Sequence, residues 1–192
     1  MLKHTMGESE AKALFDKYLH TEYLRRHSRE SEVIMRRLAR YFGADETFWG
    51  IAGLLHDLDM DLIQGDYSRH GITTVQILKD EGYDIPEIFD AILAHTEGLE
   101  GSMAARTKDF HYILAAAENI TGIITAYVIL KPDKKIAGTK VSSINKKFKD
   151  RSFAASVNRE FINDIEKVGL EKAKFFEMAI GAMSEIADEI GM

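Results

Sequence analysis

An all-α, compact single domain is predicted by three observations. Apolar residues recur at helical spacing along most of the chain, no segment alternates apolar and polar residues as a half-buried strand would, and no Asn-Gly or Asp-Gly hairpin signal occurs. The 192 residues suit one domain, and 45% apolar with 29% charged residues is an ordinary globular balance.

The elements follow in order. Residues 8–25 read as a first helix, with Ala13, Leu14, Tyr18 and Leu24 inward, and 28–42 as a second, with Val33, Ile34, Leu38 and Tyr41 at helical spacing. Gly43 is its stop, and Asp45 caps a third helix over 46–56 that is apolar on most of its circumference and therefore central. Residues 57–67 are expected to be a loop. Ser68 is the expected cap of a helix over 69–81 that ends at Gly82, and Pro86 opens one from 86 to 96. Gly98 and Gly101 mark a loop before the long apolar helix 109–130, which Pro132 stops. A short helix is expected over 143–149, and two more over 158–167 and 170–190. The stretch Ile113–Leu130 approaches membrane-spanning length, but Glu118, Asn119, Thr121, Thr125 and Tyr127 interrupt it, so a buried central helix is expected and no membrane partner.

There is no cysteine, which excludes disulfides, thiolate-ligated metals and thiolate catalysis in this chain. The N-terminal residues MLKHTMGESEAKALFDKY show no apolar signal core, and a cytoplasmic location is expected. A net charge of −6 argues against a nucleic-acid polymer as partner. The charge is uneven, however: Lys131 to Arg159 holds nine Lys or Arg and two Asp, a balance of +7 that leaves −13 elsewhere. A small anionic ligand would be drawn to that segment. Apolar faces on the terminal helices leave a homo-oligomer open.

The histidines carry the chemistry. His27 shares an inward side with Ile34, Leu38 and Tyr41; His56 and Asp57 close the apolar third helix; His70 opens the next; and His95 lies on the face of Ile88 and Ile92. Glu118 sits inside the most apolar helix, where Leu114, Ala115, Thr121 and Gly122, its helical neighbours, offer it no charge. A buried, unpaired carboxylate costs several kcal/mol and must take up a proton or find a cation. Histidines from other helices would then share a divalent ion with it, and such N/O donors suit Mn, Fe, Co, Ni or Zn. The alternative is a lysine of the basic stretch as the partner of Glu118.

His27, the pair His56-Asp57 within GLLHDLD, and the acid Glu118 together resemble the HD superfamily of metal-dependent phosphohydrolases. The resemblance covers about residues 20–130 as a metal-binding core, with the basic segment and C-terminal helices at 131–192. It extends to an HDIG-like branch of hydrolases through Gly53–Asp59, Arg69-His70-Gly71, Ala91–Thr96, Thr121–Ala126, Lys131-Pro132 and Ser143–Arg159. It implies an all-α core in which His27, His56, Asp57 and Glu118 hold a first ion. In two-metal relatives two further histidines complete a second site; His70 and His95 stand in those places, with Asp57 bridging. The family's last ligand is usually Asp, and here it is Glu118, one methylene longer.

The resemblance implies hydrolysis of a phosphoester, such as a nucleotide or phosphorylated metabolite, by a water made acidic on one or two divalent ions. Asp57 would ligate and orient that water, with Asp59 or Asp61 as the nearby base. Lys146, Lys147, Lys149 and Arg151, with the hydroxyls of Ser142 and Ser143, are the candidate substrate contacts. Two other functions fit the same residues: a di-iron oxygenase, which needs both His70 and His95, and a ligand-binding module without turnover.

Overall fold

The structure is a computed structural model that describes residues 2–102 and 104–192. Among these, ten α-helices run in the order α1 (Glu8–Tyr18), α2 (Glu22–Phe42), α3 (Glu46–Leu55), α4 (Met60–Ile63), α5 (Ile72–Asp80), α6 (Pro86–His95), α7 (Asp109–Ile129), α8 (Val141–Lys149), α9 (Arg159–Asn163) and α10 (Lys172–Glu185). Single 3-10 segments precede α5 and follow α9, and the only pairing of β type among the described residues is one bridge between Lys3 and Tyr83. The all-α expectation holds.

The axis of the fold is α7, contacted by α2, α3, α6, α8, α9 and α10. Ile113, Leu114, Ala115, Ala116, Ala117, Ile120, Ile123, Ile124 and Val128 are buried along it. The apolar run that approaches membrane-spanning length is therefore the core helix. Each large aliphatic side chain buried there contributes about 1.5–3 kcal/mol. Two exposed residues, Ile129 and Leu130, end it.

Two departures from the sequence expectation matter for the site. The first helix stops at Tyr18, and α2 begins at Glu22 rather than 28, so His27 sits within the early turns of α2. The cause is Asp61, far along the chain. Its Oδ2 accepts from the N–H groups of His20 (2.6 Å) and Thr21 (3.0 Å), and its Oδ1 from the Thr21 hydroxyl (2.5 Å). That carboxylate satisfies amide donors at the break between the two helices, an interaction no local pattern reveals. Likewise, residues 57–67 are not wholly loop, since Met60–Ile63 is a helical turn, and α5 is capped by Gly71 rather than Ser68.

Two glycines allow the close approaches that bring the histidines together. A Cβ at Gly53 would stand 2.8 Å from the Ser31 carbonyl oxygen and 2.9 Å from Glu32 Cα, so α2 and α3 touch backbone to backbone there. Gly71 has φ +75°, and a Cβ on it would meet the Ile92 carbonyl at 3.0 Å; a side chain at that position would push the His70 segment off the end of α6. Gly53→Ala is expected to cost about 1–3 kcal/mol of unfolding free energy, as overpacking against rigid backbone does. Urea denaturation of the metal-free protein measures it, and an unchanged midpoint would show that the two helices part without strain.

Candidate metal centre

Five segments bring donors to one point. α2 supplies His27, the end of α3 supplies His56 and Asp57, the approach to α5 supplies His70, the last residue of α6 is His95, and Glu118 comes from the middle of α7. His56, Asp57, His70 and His95 are buried, while His27 and Glu118 are partly exposed.

Hydrogen bonds at Nδ1 orient every ring. His56 Nδ1 donates to the Gly53 carbonyl at 2.8 Å, His95 Nδ1 to the Ile92 carbonyl, and His70 Nδ1 to Asp59 Oδ1 at 2.9 Å. The Thr121 hydroxyl donates to the Glu118 carbonyl at 2.6 Å, which leaves its oxygen to accept from His27 Nδ1 at 2.9 Å. A neutral imidazole has one N–H, so the partner at Nδ1 fixes the tautomer and leaves Nε2 as a bare lone pair. All four Nε2 atoms point inward. Those of His27 and His56 lie 3.1 Å apart, as do those of His70 and His95. Lone pairs opposed at that distance repel unless a cation stands with them.

The carboxylate of Asp57 joins the two pairs. Its Oδ1 is 3.3 Å from the Nε2 of His56, 3.3 Å from that of His70 and 3.5 Å from that of His95, and its Oδ2 is 3.4 Å from that of His27. Two groups of three donors able to hold a metal ion result, each with its ligand atoms within 4.8 Å of one another: His27, His56 and Asp57, and Asp57, His70 and His95. The donors are all nitrogen and oxygen, which fits the first-row divalent ions expected from the sequence. Glu118 stands just outside both groups, with Oε2 3.9 Å from His27 Nε2 and Oε1 accepting from the amide of Asn119.

The electrostatics of the metal-free protein describe the same need for a cation. Burial drives His56 down to about 3 and lowers His27. Burial also opposes charge on His70, but its hydrogen bonds to Asp57 and Asp59 outweigh this and push it up to about 10. Asp57 is held well below the usual carboxylate range because its imidazole neighbours, His56 foremost, overcome burial. Burial and the charge of Asp57 raise Glu118 well above its ordinary value. A proton on His70 thus occupies the place of a cation. Loading a metal there would displace the proton of His70, because an imidazole nitrogen binds metal only when deprotonated. At pH 7.5, binding is expected to release about one proton, and affinity to rise up to about tenfold per pH unit. Titration calorimetry with Mn(II) in buffers of different ionisation heat measures the release. A value of zero would show that the His70 proton is not displaced.

Other expected site residues lie elsewhere. Asp61 is turned away to the α1–α2 break, so its expected part as a base is corrected to the one described above. Asp59 is buried and engaged: besides His70, it accepts from Gly71 N (2.7 Å) and Thr74 N (3.2 Å) and so closes the start of α5. Lys146, Lys147, Lys149 and Arg151 do not line the pocket over the donors. α8 turns Ile144 into the core, which directs Lys146 and Lys149 to solvent; Lys147 lies over the Phe153 ring, and Arg151 is exposed. Among the described residues no lysine pairs with Glu118, against the alternative considered for it.

The pocket measures about 280 Å³ and is lined by Asp57, His70, His95 and Glu118 on one side. Glu97, Leu99, Asn119, Ser156, Asn158 and Phe161 line the rest. Sequence reasoning missed these last six. The only signal was Asn119, a second polar residue inside an apolar run.

No curated protein and no solved structure matches the chain. A family model described as HD domain matches residues 24–131, a stretch that carries all six donors and more than half of the chain. The histidine and aspartate cluster is what that match leads one to expect of a metal-dependent hydrolase superfamily, and the chain belongs to the HD domain family.

Proposed function

We propose that the protein hydrolyses a phosphoester of a small metabolite at a two-ion centre held by His27, His56, Asp57, His70, His95 and Glu118. The observation that carries this reading is the pair of histidine couples, each with its two Nε2 atoms 3.1 Å apart, on either side of the one carboxylate they share. Divalent ions held there supply an acidified water and offset charge on a phosphoryl oxygen.

The chain's own residues do the rest. Asp57 spans both triads and sets their separation. The Nδ1 partners hold each imidazole in the tautomer that presents Nε2, and Asp59 does so for the ring with the strongest hold on a proton. Outside the donors, the polar lining consists of Ser156 and Asn158, neutral groups able to hydrogen-bond a substrate oxygen, of Asn119, whose amide is taken up by Glu118, Ala115 and Asn158, and of Glu97, which pairs with Arg106 at 2.9 Å. Leu99 and Phe161 form the apolar part. A pocket of about 280 Å³ falls just below the usual ~300–1,000 Å³ range, which favours a compact phosphorylated metabolite over a nucleoside polyphosphate.

The test is phosphate release from a panel of sugar phosphates and nucleotides by protein loaded with Mn, Fe, Co, Ni or Zn. Metal-dependent release from at least one compact monoester is expected; none with any metal would overturn hydrolysis. The shared Asp57 also favours a second reading, a di-iron oxygenase. Oxygen uptake confined to the iron-loaded protein, with no phosphate released from the panel, would select it.

A further inference from the structure

Asn119 follows Glu118 in α7 and has every polar atom committed. Its amide nitrogen donates to Glu118 Oε1 and to the Ala115 carbonyl at 3.0 Å, and its oxygen accepts from the backbone N–H of Asn158 at 2.9 Å. Flipping the amide would set its nitrogen against an N–H and its oxygen against a carbonyl and a carboxylate, so the orientation is fixed by its partners. Asn158 ends the 150–158 loop, and its own side chain caps α9 by accepting from Glu160 N and Phe161 N. The same loop puts Ser156 and Asn158 on the wall of the pocket that holds Asp57, His70, His95 and Glu118. One amide therefore joins the Glu118 carboxylate to the segment that faces the donors.

We propose that Asn119 is a positioning residue that couples Glu118 to the 150–158 loop, so that metal occupancy and loop order strengthen each other. The proposal rests on reading the donor cluster as a metal centre. The physical ground is the extra methylene of glutamate. A glutamate side chain has one more rotor than aspartate, and without the Asn119 bond its carboxylate would sample positions away from the Nε2 cluster. A cation that fixes the carboxylate also fixes the amide, and through it the Asn158 N–H. Coupling between two binding events is reciprocal, so whatever pins the loop, including an anion seated against Ser156 and Asn158, tightens the hold on the cation.

The experiment uses the full chain and Mn(II) as the probe, with metal affinity from equilibrium dialysis and hydrogen exchange of the 150–158 amides with and without metal. In the wild-type protein, Mn(II) is expected to slow exchange in the loop. Asn119→Ala is expected to bind Mn(II) about 10–100-fold more weakly, the usual effect of losing a residue that orients a ligand. At saturating Mn(II) its loop should exchange as fast as without metal. A change of fold alone would not remove a metal-dependent increment. Should Asn119→Ala fail to fold, Asn119→Asp keeps the acceptor for Asn158 and loses the donor to Glu118; its loop should be protected to the same extent with and without Mn(II). If wild-type protein takes up Mn(II) and either variant keeps the full slowing of the loop, the coupling is overturned while the metal reading stands. If wild-type protein takes up no metal, both fall.

Discussion

Asp57→Ala is expected to lose metal from both positions at once and to abolish any metal-dependent turnover. Asp57 is the one donor common to the two triads, within 3.3–3.5 Å of all four Nε2 atoms. Without it each triad is reduced to two imidazoles. Metal content by elemental analysis should fall to less than about a tenth of the wild-type value, and turnover by about 10³-fold or more, because both the bridging donor and the orientation of the water are lost. Glu118→Ala removes a donor that stands at the edge of one triad, and should lower affinity by the smaller factor of about 10–100. The fold should survive Asp57→Ala: His70 keeps its bond to Asp59, and His56 and His95 keep their bonds to backbone carbonyls. The melting temperature of metal-free variant and metal-free wild type should therefore agree closely, and the rise that metal gives the wild type should vanish. Full metal content in Asp57→Ala would show that the triads are independent sites and that Asp57 bridges nothing.

How much of this was legible in the sequence depends on whether the cause was local. Helical periodicity, Asp45 as a cap, Pro86 at a first turn and Gly43 as a stop are local signals, and α3, α6 and α7 fall where those signals put them. The phase of α7 was local too, and it was enough to mark Glu118 as a carboxylate without a helical partner. The break between α1 and α2 was not legible, because the acid that holds it, Asp61, comes from about forty residues away. The same distance hid the substrate side of the pocket. A run of lysines next to a phosphate-directed motif suggests contact with the ligand. Yet α8 is amphipathic, and burying Ile144 turns Lys146 and Lys149 to solvent. The loop beyond them reaches the pocket instead, through Ser156 and Asn158. Charge density read along the chain cannot say which way a helix faces, whereas the donor histidines could be found because each is marked by its place at the end or on the apolar side of a helix.

Arg159→Met is expected to be strongly destabilising although Arg159 lies outside the donor cluster and carries a charge. Arg159 reads in the sequence as one positive charge of a basic segment and as the end of the family-like stretch Ser143–Arg159, but it is 8% exposed and its guanidinium pairs with no carboxylate among the described residues. Its guanidinium donates instead to five backbone carbonyls of the loop it follows. Nε reaches Phe148 (2.9 Å), Nη1 reaches Ala154 and Val157 (both 3.2 Å), and Nη2 reaches Asp150 (2.9 Å) and Phe153. Those five bonds use the whole donor fork and hold residues 148–157 in a compact ring around one side chain. Methionine replaces the volume and leaves the carbonyls to find water, which the loop does by opening. The expected cost is about 3 kcal/mol, several charge-assisted hydrogen bonds less the part that solvent restores. In a chain of this size that lowers the melting temperature by about 6–12 °C. Arg159→Lys keeps the charge but offers a single ammonium that cannot reach all five acceptors, so it should lose most of the same stability. Hydrogen exchange should localise the loss to 148–158. A lysine variant that melts with the wild type and leaves the loop amides protected would show that charge at this position, rather than the planar fork, organises the wall opposite the metal donors.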